Sequence, residues 1–209
     1  FQAQAYKELL PPEGPVRTQI IGEITSPVEE QAQRVKEFMN YQIAYEMEEY
    51  DQELDQMLFH LPLAGSAFKK VYYDAVKARA VSKFVPAEDV VIPYMTTDME
   101  SCERITHVVR MMGNELRKKQ FGGMYRDIEI SPSSTDPNEA QEKYNELDGV
   151  TETQNAEDIL LLEFHCDLDI PGFEDKDVKT GEVTGIKLPY VVTVDEGTGK
   201  VLSIYRNYR

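Results

Sequence analysis

The sequence predicts an α+β fold: a long amphipathic helix packed on a mostly antiparallel β body with short helices. Three observations predict it. Apolar residues recur at three- and four-residue steps from Val28 to Leu61. Alternation with a period of two takes over after Gly65. Near the C-terminus, two apolar runs flank the turn Glu196-Gly197-Thr198-Gly199, the mark of a hairpin. The expected division is an N-terminal segment (1–25), the long helix (26–62) and a β-rich body (63–209) with an acidic insertion at about 127–182.

At 209 residues the chain is long enough for one sizeable domain, or for a domain with appendages. Its formal charge is −16 and its pI about 4.6, so its surface repels nucleic acid unless the cations cluster. Cys102 and Cys166 form neither a CxxC pair nor a disulfide framework and read as two free thiols. No apolar run approaches the ~20 residues of a membrane span, so no membrane partner is expected. The chain opens on Phe1 and stops on Tyr208-Arg209 within a strand-like run, which reads as a fragment or processed piece.

Ala3 to Leu10 is a short amphipathic piece, stopped by Pro11-Pro12-Glu13-Gly14-Pro15. The run Thr18 to Ile24 reads as a strand or an extended connector. The long helix then opens on Ser26-Pro27-Val28-Glu29, with Ser26 as N-cap, Pro27 at the first helical position and Glu29 closing a capping box. Its apolar stripe is Val28, Ala32, Val35, Met39, Ile43, Met47, Tyr50, Leu54, Leu58 and Leu61, unbroken until Pro62. A helix of ~35 residues spans ~50 Å, which suits a strut in an assembly. Nine acidic and two basic residues between Glu29 and Asp55 make its polar face negative. That face reads as solvated, with contact to a basic partner as the alternative.

Ala67 to Asp74 and Ala78 to Val85 predict a hairpin. Its cations Lys69, Lys70, Lys77, Arg79 and Lys83 form the one dense positive patch, interleaved with Phe68, Tyr72, Tyr73 and Phe84. Aromatic interleaving is what a nucleic-acid groove uses, but pairing with acidic parts of this chain or a neighbour is the preferred reading. Arg104 to Met112 is a strand, and Asn114 caps a helix ended by Gly122-Gly123. The acidic region follows, with seventeen Asp or Glu against three Lys over 127–182. It holds a loop at 131–137, a short helix from Asp136 to Leu147, a polar stretch to Glu157 and a strand from Ile159 to Asp167. Ile186 to Asp195 and Lys200 to Tyr208 form the last hairpin.

No HExxH, P-loop or GxGxxG is present. His60, His107 and His165 stand apart in sequence, and His107 has no Asp, Cys or second His near it in the chain. His165 and Cys166 point to opposite faces of a strand and cannot share a metal. In Asp175-x-Asp177-x-Lys179 a lysine stands where an EF-hand needs oxygen, leaving at most a weak cation site. The chain is therefore expected not to be an enzyme: no catalytic, cofactor-binding or metal-ligating residue is assigned, and no cofactor is expected.

Several strings taken together carry a resemblance. They are Tyr50-Asp51-Gln52-Glu53-Leu54-Asp55, the stretch Leu61 to Asp74, Phe84 to Pro93, Ile105 to Arg110, Glu163 to Asp169, Leu188 to Val194, and Ile204 to Tyr208. In this order they resemble the N-terminal part of portal proteins, the head-to-tail connectors of tailed double-stranded DNA phages, of the short-tailed type. The resemblance covers most of the chain and has no catalytic signature. It implies a structural subunit of a virion ring, usually dodecameric, at one capsid vertex, assembled in the host cytoplasm. Double-stranded DNA is packaged and ejected through such a ring. Partners would be other portal subunits, capsid and scaffolding proteins, and terminase and tail proteins through regions absent here. The family's chain runs through wing, stem, clip, stem and crown; this sequence resembles the wing region alone, so no family residue role carries over. The alternative from another class is an acidic interaction module that binds a basic partner.

Overall fold

The computed structural model describes residues 1–75, 77–130 and 158–207, and the fold is α+β with two antiparallel sheets. The chain divides into two compact units, Phe1–Ala87 and Glu88–Arg209. The division falls after the first hairpin and not after the helical stretch, because the hairpin packs with the helix that precedes it.

The first unit holds α1 (Gln2–Leu9), α2 (Ser26–Tyr41), α3 (Tyr50–Ala64), β1 (Ala67–Asp74) and β2 (Arg79–Pro86). The single helix expected over Ser26–Leu61 is two helices. A π-helical turn, Gln42–Glu46, ends α2, and Met47 leaves helical geometry at φ −90°, ψ 72°. Electrostatics explains the break. In one continuous helix the like charges Glu46/Glu49 and Glu48/Asp51 would face one another one turn apart, each pair destabilising. Restarting at Tyr50 places Asp51 and Glu53 in a first turn, where the positive end of the helix dipole favours them. The cap also shifts by one residue: Thr25 is the N-cap, its carbonyl accepting from the Val28 and Glu29 amides, and no side-chain capping bond forms. At the other end α3 runs through Pro62 and closes on Gly65, whose φ of 77° few other residues tolerate.

The apolar stripe is likewise divided. Leu54 and Leu58 on α3 are buried, and α3 packs on β2 and β1, where Val81 and Val85 are buried. α2 buries none of its residues; Val35 and Met39 are 44% and 43% exposed. Only α3 is thus the strut expected of the whole stretch. β1 and β2 form the predicted hairpin, paired from Ala67↔Pro86 to Asp74↔Arg79. The run Thr18 to Ile24 has no regular secondary structure.

The second unit is a five-stranded sheet in the order β3-β4-β5-β6-β7: β3 (Val90–Val91), β4 (Arg104–Met112), β5 (Asp158–Leu168), β6 (Leu188–Asp195) and β7 (Val201–Arg206). All neighbours are antiparallel. β4 feeds directly into α4 (Gly113–Phe121), capped at Met112 and not at Asn114. One face gathers Met111, Ile159 and Leu161 with Leu116, Leu202, Tyr125, Ile128 and Ile130. A second cluster joins Leu188, Tyr190 and Val192 to Phe164, Leu168 and Ile170. Apolar packing on both faces explains the uninterrupted Ile159-Leu160-Leu161-Leu162. The β6–β7 turn is tied by Asp195, whose carboxylate accepts from the Thr198 amide at 2.9 Å. The predicted loop, helix and polar stretch over 131–157, and the extension of the last strand to Tyr208, lie outside the described residues.

Candidate functional site

Two polar arrangements stand out, one in each unit. In the first, α3 lies along the open edge of β2. Glu49 Oε1 accepts from the Ser82 amide at 3.2 Å, and Glu53 Oε2 accepts from the Phe84 amide at 2.7 Å. Four residues along a helix advance ~6 Å, and two along a strand advance ~6.6 Å. Carboxylates at i and i+4 therefore match alternate outward amides of a strand edge.

Arg79 Nη1 closes this arrangement 2.7 Å from Glu49 Oε2. The approach is short but oblique, with no well-angled hydrogen bond at that oxygen, so the contact acts as an ion pair. Burial opposes the charge on Glu49. The backbone donors and the Arg79 guanidinium outweigh it and hold the carboxyl below the ordinary glutamate range. Lys69 Nζ lies 3.6 Å from the Tyr50 ring centroid, a cation–π contact. Burial there pulls its ammonium below the usual lysine range, against the attraction of Glu53.

Of the five hairpin cations, Arg79 and Lys69 are thus engaged with α3. The preferred reading, pairing with acidic parts of the chain, holds for Arg79, while Lys69 is held against an aromatic ring. The acidic cluster is engaged too: Gln2 and Tyr6 of α1 donate to Asp55 and Asp51. Glu49, Asp51, Glu53 and Asp55 all accept bonds within the unit, while Glu46 and Glu48 remain exposed.

The second arrangement lies on the β sheet. His165 Nε2 is 2.8 Å from Glu163 Oε1, and Glu163 is only 8% exposed. The register sets His107 opposite Glu163 on one side and Thr193 on the other. The separation of His107 from carboxylates and other histidines in the sequence does not survive folding: antiparallel pairing brings positions 107, 163 and 165 onto one sheet face. The i, i+2 spacing of Glu163 and His165 on a strand was the signal available; the register with His107 was not. Burial raises the Tyr125 and Tyr205 phenols above the usual tyrosine range, and the Glu163 charge raises them further.

The remaining candidates have local roles. His60 sits against Phe84, with ring centroids 5.2 Å apart. Cys102 and Cys166 are free thiols; Cys102 donates to the Arg104 carbonyl, and burial raises the Cys166 thiol. Glu174, Asp175 and Asp177 bind the Gly172 amide, the Thr184 hydroxyl and the Lys179 amide within their own turn. Among the described residues no three His, Cys, Asp or Glu side chains form a metal-holding group, and no helix is long and apolar enough to cross a membrane. Compared with known proteins, no family model matches the chain, and no curated protein sequence matches it.

Proposed function

We propose that this chain is the wing region of a portal subunit, a structural part of the ring through which a tailed phage packages and ejects its double-stranded DNA. The observation that carries the reading is the joint between α3 and β1. The string Leu61 to Asp74, the strongest part of the resemblance, is the segment where α3 ends on left-handed Gly65 and passes at once into β1. A helix fixed this directly to a hairpin, with its carboxylates fastened to the hairpin's edge, suits a load-bearing element. In this reading the ring is dodecameric and sits at a capsid vertex of the virion. Its other partners are capsid and scaffolding proteins, with terminase and tail bound through other regions of the subunit. The DNA passes through the channel. The chain acts without catalysis or cofactor.

The competing reading, an acidic module for a basic partner, loses support from the same geometry. Four of the six carboxylates in its densest cluster accept bonds from their own unit. Electron microscopy of the complete protein tests the portal reading. The expected image is a ring with a central channel; particles without rings overturn it.

A further inference from the structure

We propose that Arg17–Ile21 of one copy of this chain adds as a strand to the outer edge of β1 of a second copy, head to tail. The two edges of the hairpin are treated differently. The Ser82 and Phe84 amides point to α3 and are bound by Glu49 and Glu53. Pairing with β1 therefore runs through Val81, Lys83 and Val85, which lie opposite Tyr72, Lys70 and Phe68. By the alternation of an antiparallel ladder, Lys69, Val71 and Tyr73 turn their N–H and C=O groups to the far side. Among the described residues no hydrogen bond reaches the outward groups of Val71 and Tyr73. Their side chains are 64% and 67% exposed. An open edge with β-branched and aromatic side chains is a template for another strand.

A matching row exists elsewhere in the same unit. Arg17-Thr18-Gln19-Ile20-Ile21 is as long as Lys69–Tyr73 and rich in β-branched residues. It makes no hydrogen bond among the described residues, and Ile21 is 95% exposed. Its ends are pinned. Val16 bonds through both backbone groups to the Asn40 side chain, at 2.9 and 3.2 Å. Thr25 is the N-cap of α2. From Thr25 to Asn40 the helix rises about 22 Å, while nine extended steps from Val16 to Thr25 reach about 30 Å. Anchored at both ends, the segment makes no hydrogen bond to β1 of its own copy among the described residues.

The occupant is therefore a second copy. Symmetric β1–β1 pairing would leave Arg17–Ile21 bare, whereas head-to-tail addition satisfies both rows and repeats around a ring. Closure into a ring rests on the portal reading; the pairing itself does not.

The test mixes Gln19→Cys chains with Val71→Cys chains under oxidising conditions, since the five-on-five match sets the central residues 19 and 71 opposite each other, with each variant alone and the parent chain as controls for Cys102 and Cys166. Peptide mapping is expected to find a disulfide between positions 19 and 71 of different chains. Val71→Pro supplies the second arm. The Val71 amide points away from β2, so proline there removes no bond of the hairpin. Sedimentation at high concentration should show association weakened at least tenfold while the circular dichroism spectrum is kept, and Ile21→Pro should do the same. A mixture without the 19–71 link overturns the proposal. So do a link between two Val71→Cys chains, a link confined within one chain of the double variant, or unchanged association of Val71→Pro. Rings of the complete protein that persist with Val71→Pro overturn the strand pairing and leave the portal reading intact. Absence of rings removes the portal reading, while the mixing experiment still decides the pairing.

Discussion

Glu53 Oε2 accepts a 2.7 Å hydrogen bond from the backbone amide of Phe84, across 31 residues of sequence. A side chain on a helix thus stands in for the carbonyl of a missing neighbour strand. With Glu49 on Ser82 one turn earlier, α3 completes one edge of a two-stranded sheet that would be marginal alone. It also explains why so acidic a stretch tolerates its own repulsion, since the carboxylates face backbone donors and Arg79.

Glu53→Ala is expected to destabilise the first unit by about 2 kcal/mol, the scale of a hydrogen bond to a charged acceptor. Glu53→Gln should cost less, because its amide oxygen still accepts. Urea unfolding followed by circular dichroism measures both. Equal losses would show that the charge, and not the acceptor, matters at this edge.

The Glu49 carboxyl is held below its ordinary value in the fold, so the folded state binds its proton less readily than the unfolded chain does. Its stabilisation is complete above the unfolded value of about 4.3 and is lost as pH falls through the lower, folded value. Comparing the parent chain with Glu49→Gln from pH 7 to pH 2 should show a gap in unfolding midpoint that closes in acid. A gap that is constant with pH would refute the linkage.

The two halves of the stripe should respond differently to truncation. Leu58 is 2% exposed, and Leu58→Ala should cost about 3 kcal/mol. Val35 is 44% exposed, and Val35→Ala should change stability by less than about 0.5 kcal/mol. Unfolding curves on the isolated chain check both values. A large loss at Val35 would mean that α2 has a partner in solution.

That contrast marks where the sequence was legible. Elements fixed by local chemistry came out close to their true bounds. β1 matches its predicted span, β4 does too, and the turn through Glu196 to Gly199 joins the last two strands as expected. The long helix failed because periodicity scores apolar spacing and ignores charge. The stripe continues through Met47, but the repulsion among Glu46, Glu48, Glu49 and Asp51 does not appear in it. The polar arrangements failed for a different reason. Glu49 meets Arg79, and Glu163 lies across from His107, through pairings set by tertiary register, which spacing along one chain does not encode.

Tyr125 and Tyr205 provide a spectroscopic test of the Glu163 site. Both phenols are held protonated by burial first and by the Glu163 charge second. Their stabilisation is present below the unfolded tyrosine value of about 10 and is lost as pH rises through the higher folded values. Alkaline titration at 295 nm should show late-ionising tyrosines in the parent chain. Glu163→Gln should move that late phase to lower pH, and an unchanged phase would separate Glu163 from the phenols.

Asp89 carries the last prediction. It lies on the 3-10 turn Ala87–Asp89, where burial raises its carboxyl above the usual aspartate range and Arg110 only partly offsets the effect. Its Oδ1 is buried with no hydrogen-bond partner among the described residues. Folding therefore favours the protonated carboxyl. Below the unfolded value of about 3.9 Asp89 carries no ionisation penalty, and as pH rises through the folded value the penalty enters in full. Asp89→Asn removes the charge while keeping the shape, so at pH 7 it should raise the denaturant midpoint of the second unit. Below pH 3 the two chains should unfold at the same denaturant concentration. A destabilised Asp89→Asn chain at pH 7 would mean that the Arg110 attraction exceeds the burial cost.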